Sequence, residues 1–118
     1  MNLEDLEGRQ REVCKHYGSV FVASPAEQKV GISENAMQAL MPLNGLRHQA
    51  RHDATGWYIW RGEELSQSPD FFVPLHVAHL QTWCVEALPF LGLAPGWRFL
   101  KAGDHVDVWF DAALIESA

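Results

Sequence analysis

The sequence predicts an α+β fold, a mainly antiparallel sheet of about five to six strands with two or three helices packed against it. Strand-like runs are joined by short turns, and helix-like runs lie between them, so the elements follow one another as αββαββαββ. The length of 118 residues is enough for one hydrophobic core and too short for two. We therefore predict a single domain over residues 1–118.

The elements before residue 90 are predicted from apolar spacing and from capping and breaking residues. Asn2 is expected to cap a first helix that ends near Gly18, and Ser33 to cap a short one over residues 34–40. In the run 46–52, Leu46 and His48 share one face and Arg47 lies on the other, a half-exposed pattern. Further strands are predicted at 19–23, 30–32 and 57–61.

A longer helix is predicted from about residue 74 or 75 to residue 88, where Pro89 limits it. Its buried stripe would consist of Val77, Leu80, Cys84 and Leu88, followed by Leu91.

The clearest predicted strands form a β-hairpin near the end of the chain. Runs 97–100 and 105–110 are rich in aromatic and β-branched residues, and a short segment containing Gly103 separates them. Alternation in the second run places Val106, Val108 and Phe110 on an apolar face, and we expect Trp97 and Phe99 to join them in the core. One loose helical turn is expected after Asp111.

Composition and termini indicate a cytoplasmic protein. The chain contains no run of roughly 18 apolar residues that could span a membrane. Its first 13 residues are charged throughout and lack the apolar centre of a signal peptide. The two cysteines, Cys14 and Cys84, are therefore expected to be reduced, partly buried hydrophobic residues.

The net charge of −6 is unevenly distributed. Residues 60–118 contain eight acidic and three basic residues, whereas residues 1–59 contain seven and six. Nucleic-acid phosphates bind clustered lysine and arginine side chains, so this charge balance argues against a nucleic-acid partner. It suits a basic protein surface, although acidity that keeps a protein soluble is the simpler explanation of charge alone.

No catalytic or metal motif stands out, so we predict no enzymatic activity, no metal and no cofactor. His76 and His79 would share a helix face, but spaced Cys/His pairs and an HExxH motif are absent. Cys84 lies in an apolar stripe, where a thiol is inert. A hydrolase would require convergence of side chains among His48, His52, Asp53 and His105.

Five tryptophans are many for this length, and most are expected in the core. Trp60 lies on the strand face opposite Trp57, and Trp109 shares a face with His105 and Asp107. We predict that Trp60 and Trp109 contact a partner, because tryptophans near acidic residues are typical of protein-binding hot spots.

Several segments resemble one protein family. They are the strand-and-turn run from Gly56 to Glu64 (GWYIWRGEE), then SPDFF at 68–72, LPFL at 88–91 and PGWRF at 95–99. Their order is similar to that of the bacterial immunity protein 33 family, over roughly residues 20–109. Members of that family are predicted antidotes in polymorphic toxin systems, small proteins that bind and neutralise a toxin domain. The resemblance implies an α+β fold and a protein partner without enzymatic activity.

The sequence therefore predicts a protein-binding domain whose partner is a cognate toxin. A small-molecule-binding or regulatory module, with an aromatic pocket between sheet and helix, is the alternative. The predicted partner-binding residues combine two tryptophans with acids of the C-terminal half: Trp60, Glu63, Glu64, Asp70, Asp104, Asp107, Trp109 and Asp111.

Overall fold

A computed structural model describes residues 3–66 and 68–116. The strands are β1 (Lys29–Ser33), β2 (Leu43–Arg47), β3 (Ala54–Arg61), β4 (Phe72–His76), β5 (Trp97–Ala102) and β6 (His105–Phe110). The α-helices are α1 (Leu3–Tyr17), α2 (Leu80–Trp83) and α3 (Ala113–Glu116). Short 3₁₀ turns cover Glu34–Met37, Val77–His79 and Val85–Phe90. The predicted cap at Asn2 lies outside the described residues.

All six strands form one sheet in the order β4-β1-β3-β2-β5-β6. Every neighbouring pair is antiparallel except β1 and β3, which are parallel. The prediction of a mainly antiparallel α+β sheet is confirmed. Pro74 lies inside β4, at the edge of the sheet, where a strand tolerates a residue that cannot donate a backbone hydrogen bond.

One face of the sheet carries the main core. Trp57, Ile59 and Phe99 are almost completely buried there, and α1 packs on the Val85–Phe90 turn above them. The rings of Phe90 and Phe99 stack at 4.3 Å, and Trp57 lies 5.6 Å from Phe99. These rings pack against one another between the sheet and the helices. The alternative function would require an aromatic pocket in that space.

The opposite face of the sheet has a smaller cluster. Leu46, Trp60 and Leu114 are buried in it, and Phe71 and Phe72 pack against them. α3 supplies Leu114 and confirms the predicted helical turn after Asp111.

The predicted strand at 19–23 is wrong. Only Phe21 forms a bridge, to Leu93, and the amide of Val22 donates to the carbonyl of Gly92. Arg47 explains the difference, because its guanidinium binds the carbonyls of Val22 and Ala23 at 2.8 and 3.2 Å. Those carbonyls are satisfied by a side chain, so the segment needs no partner strand to satisfy them.

The placement of Arg47 on an exposed face is also wrong. β2 begins at Leu43, three residues before the predicted start, and ends at Arg47, which is 1% exposed. Its side chain lies on the core face, with the guanidinium 5.6 Å from the ring of Trp57. Burial lowers the pKa of Arg47 to about 10.

The single helix predicted over residues 74–88 is replaced by β4, α2 and two 3₁₀ turns. Cys84 interrupts the helical path with φ −162° and ψ 74°, and Pro89 lies in the last turn. The predicted buried stripe is nevertheless confirmed for Leu80, Cys84 and Leu88. Apolar spacing thus identified the buried side chains but not the backbone that carries them.

The short helix predicted over 34–40 is only the 3₁₀ turn Glu34–Met37, followed by irregular chain. The hairpin is confirmed, with Gly103 at φ +61° in its turn. Phe110 is an exception to its predicted core face, because it is 48% exposed and lies against Gly96.

Candidate functional site

The loops at one end of the sheet collect unpaired acidic side chains. Leu43 pairs with both Arg61 and Lys101, so the ends of β3 and β5 lie near each other. The side-chain amide of Asn35 donates to the carbonyl of Arg61 (3.2 Å), which places the turn after β1 at the same end. β4 is antiparallel to β1 and begins there. We define the acidic end by its five acids: Glu34, Glu63, Glu64, Asp70 and Asp104.

All five acids of the acidic end are exposed. Within the described part of the chain, none of them has a basic nitrogen within 4.0 Å. Acids toward the opposite end are paired instead, Asp53 with Lys29 at 3.0 Å and Asp111 with Arg98 at 3.1 Å. The acidic end therefore brings together five carboxylates that no ion pair within the described ranges neutralises.

The backbone fixes the start of the β3–β4 loop. The amide of Gly62 donates to the carbonyl of Pro42 at 2.9 Å, and the side-chain amide of Asn44 donates to the carbonyl of Gly62, also at 2.9 Å. Gly62 has φ +99°, a conformation that glycine adopts without strain. These bonds hold the chain immediately before Glu63 and Glu64.

A cleft of about 370 Å³ opens at the acidic end. Met37, Met41 and Val85 line its mouth and are 61%, 60% and 51% exposed. Arg61 and Cys84 line its floor and are 7% and 2% exposed. We name it the methionine cleft after Met37 and Met41, which line its mouth.

Arg61 organises the floor of the methionine cleft. Its Nε donates to the carbonyl of Ala36 at 2.6 Å, and its Nη2 donates to Glu86 Oε1 at 2.8 Å. The same Nη2 lies 3.6 Å from Cys84 Sγ. Burial raises the pKa of the Cys84 thiol despite this neighbouring cation, so the thiol stays protonated and unreactive at neutral pH.

Three predicted partner-binding residues lie outside the acidic end, on or after β6. Asp107 is 3.0 Å from the Nε2 of His105. Trp109 is 39% exposed, with the guanidinium of Arg98 5.5 Å from its ring. Asp111 pairs with Arg98 and also accepts a hydrogen bond from the amide of Ala113 at the start of α3. Asp111 therefore has a structural role, whereas Trp109 presents surface to solvent.

Trp60, one of the predicted partner-binding residues, is buried in the structure. It is 4% exposed and packs with Leu46 and Leu114 on the second face of the sheet. Phe72 covers it from β4, with ring centroids 6.2 Å apart. The alternation that separated Trp60 from Trp57 was right, but the sheet buries large side chains on both faces.

Comparison with known proteins identifies the family. A family model described as Imm33-like domain matches residues 9–111. The chain belongs to the Imm33-like family. No curated protein matches it, and no solved structure does. The resemblance seen in the sequence is therefore confirmed, over a longer range than residues 20–109.

The motif residues shared with the Imm33-like family have structural roles in this chain. Trp57 is 1% exposed in the core. Gly56 has φ +95°, and a Cβ there would collide with the carbonyl oxygen of His48. Gly62 shapes the exit from β3. These three residues therefore support the scaffold of the domain and do not form a contact surface.

The histidines of this Imm33-like chain are spread over the sheet. The amide of His48 donates to the carbonyl of Gly56 toward the end opposite the acidic end, whereas His105 begins β6 near the acidic end. Asp53 is paired with Lys29, and hydrogen bonding from that lysine lowers the pKa of Asp53. His105 therefore lies apart from His48, His52 and Asp53, which belong to the β2–β3 connection.

Over residues 3–66 and 68–116, no group of three or more His, Cys, Asp or Glu side chains could hold a metal ion. In the same ranges no helix combines the length and apolarity needed to cross a bilayer. Both cysteines are free and buried, as predicted.

No motif or spacing in the sequence predicted that Glu34, Met37, Met41 and Val85 lie at one end of the sheet. The run 34–40 was predicted as a short helix that ends before Pro42. The helical turn stops at Met37, and both methionines remain exposed.

Proposed function

We propose that this protein is a non-enzymatic immunity protein that neutralises a cognate bacterial toxin by binding the toxin and covering its surface. The match of the Imm33-like family model to residues 9–111 carries the proposal. Occlusion requires only a complementary surface and no catalytic step.

The acidic end is the surface that we propose for toxin binding. Its five carboxylates are exposed and, within the described ranges, none of them has a basic nitrogen within 4.0 Å. Their summed potential favours a partner with a basic surface, such as the nucleic-acid-binding or catalytic surface of a toxin. Four of these acids, Glu63, Glu64, Asp70 and Asp104, belong to the predicted set.

Trp109 and Asp107 form a second part of the proposed surface. Both lie on exposed positions of the edge strand β6, which begins directly after the turn that carries Asp104. A partner on the acidic end that extended along β6 would meet Asp107 and then Trp109. Aromatic anchors beside acidic side chains are enriched in protein interfaces.

Growth protection tests the proposed function. A candidate toxin domain, taken from the reading frame that adjoins this gene, is expressed in bacteria with and without this protein. We expect the toxin domain to stop growth when alone, and the immunity protein to restore growth and to elute with the toxin domain as one complex on gel filtration. Failure of protection together with failure to form a complex would contradict the proposal.

A further inference from the structure

Exposed apolar side chains concentrate around the methionine cleft. Met37, Met41 and Val85 each expose more than half of their surface, and Leu40, between the two methionines, exposes 45%. Isolated exposed apolar residues are ordinary on a protein surface, but a contiguous group around a concave site marks a binding surface. The cleft volume of about 370 Å³ is at the lower end of the range for ligand pockets.

The positive charge of Arg61, on the floor of the methionine cleft, already has an ion-pair partner. Glu86 neutralises Arg61, and the carbonyl of Ala36 accepts from the same guanidinium. The ammonium of Lys101, also at the cleft, donates to the carbonyl of Gly103 at 2.7 Å. A side chain that entered the cleft would therefore meet an arginine that is already paired and a lysine whose ammonium already donates one hydrogen bond.

The surroundings of the cleft are acidic. Glu34 is in the same helical turn as Met37, and Asp104 follows Gly103, which lines the cleft. Met41 precedes Pro42, whose carbonyl accepts from Gly62, the residue before Glu63. Exposed apolar surface is therefore flanked by unpaired carboxylates on several sides.

We infer that the methionine cleft receives an apolar side chain of the toxin that is flanked by lysine or arginine. Methionine side chains are flexible and polarisable, so they adapt to the shape of an inserted side chain. The surrounding carboxylates would pair with the flanking cations, because a basic partner complements an acidic rim. This inference rests on the proposed function and adds the chemistry of the contact: an apolar anchor within a basic segment.

Methionine methyl NMR tests the inference directly on the unmodified protein. The chain has three methionines, Met1, Met37 and Met41, so ¹³C-methyl-methionine labelling gives few signals and two report on the cleft. The probe is the toxin domain from the adjoining reading frame. We expect both cleft methyl signals to shift or broaden on titration. Complex formation that leaves both signals unchanged would overturn the inference.

Charge insertion at the cleft provides a second test. Met37→Glu and Met41→Glu each place a carboxylate where an apolar side chain should enter, and we expect each to lower toxin affinity by at least about 10-fold. Both positions are about 60% exposed, so the fold should tolerate the change, which a thermal melt checks. Affinity within about 2-fold of the unmodified protein for both variants would overturn the inference.

Val20→Glu is the matched control. Val20 is 72% exposed, and its neighbour Ser19 accepts a hydrogen bond from the amide of Ala94, away from the acidic end. Toxin affinity should be unchanged by this substitution. If the unmodified protein neither binds nor protects, the proposed function fails and the inference fails with it. If it binds and protects while the cleft variants bind equally well, only the inference fails.

Discussion

Arg61 and Glu86 form an ion pair of 2.8 Å in which the arginine side chain is 8% exposed and the glutamate side chain 45%. The two ends of the pair therefore differ in their access to water. Removal of the Glu86 carboxylate leaves the buried guanidinium of Arg61 without its ion-pair partner. Removal of one of the five exposed carboxylates of the acidic end breaks no ion pair within the described ranges. This asymmetry makes Glu86 the one acid of this region with a clear role in stability.

Glu86→Gln should lower the free energy of unfolding by about 1 kcal/mol, because a half-exposed pair is partly screened by solvent. Urea denaturation measures the change. Glu63→Gln is the matched control, since Glu63 is exposed and has no ion pair in the described ranges, and it should stay within about 0.5 kcal/mol of the unmodified protein. Equal effects of the two substitutions would contradict the assigned role of Glu86.

Arg47→Met should destabilise the protein by about 3 kcal/mol or more, because it removes the donor that satisfies buried carbonyls. The guanidinium of Arg47 binds carbonyl oxygens of five residues: Val22, Ala23, Thr55, Leu91 and Leu93. Hydrogen exchange should also accelerate in the segment around Val22. Arg51→Met, at an exposed arginine, serves as control and should be near neutral. A similar small change for both variants would refute the role given to Arg47.

The sequence was sufficient for most of the fold because local patterns there agree with the tertiary structure. The β5–β6 hairpin has alternating side chains and a glycine turn, and both are local signals. The buried stripe of Leu80, Cys84 and Leu88 was also visible from spacing. Long-range contacts caused the errors. The side chain of Arg47 displaced a predicted strand, and pairing of β4 with β1 replaced the first part of a predicted helix.

The candidate site was only partly visible in the sequence. The sequence predicted four partner-binding acids in the C-terminal half whose loops the fold brings to one end of the sheet: Glu63, Glu64, Asp70 and Asp104. Glu34 and Met37 could not be assigned to that end, because only the parallel pairing of β1 with β3 places their turn there. The strand 57–61 carries large apolar side chains on both of its faces, and Leu46 and Leu114 pack with Trp60 on the second face.

Gly56→Ala should unfold the protein or destabilise it by several kcal/mol, whereas Gly62→Ala should cost about 1–2 kcal/mol. Both glycines have positive φ, +95° and +99°, so the backbone strain is similar. The difference is steric, because a Cβ at Gly56 meets the carbonyl of His48 and one at Gly62 meets open space. Thermal melts of the two variants test the comparison. A Gly56→Ala variant as stable as Gly62→Ala would show that the β2–β3 approach is looser than described.

Asp53→Asn should lower the stability of the protein at neutral pH, and its difference from the unmodified protein should disappear in acid. Hydrogen bonding from Lys29 lowers the pKa of Asp53 in the folded state, so the unfolded state binds more protons as pH falls. The contribution is therefore present above the usual carboxyl pKa and disappears as pH falls through the depressed folded value. Melting temperatures at about pH 7 and about pH 2 reveal it. A difference that persists or grows in acid would contradict the assigned ion pair.

The affinity of charge-reversed variants tests the central claim most directly. One variant carries Glu63→Lys, Glu64→Lys and Asp104→Lys at the acidic end. The other makes the same change in net charge at exposed acids outside that end: Glu12→Lys, Glu27→Lys and Glu116→Lys. We predict that the first slows association with the toxin domain by about 100-fold at low salt and that the second has a much smaller effect. Equal association rates for the two variants would contradict toxin binding by the acidic end.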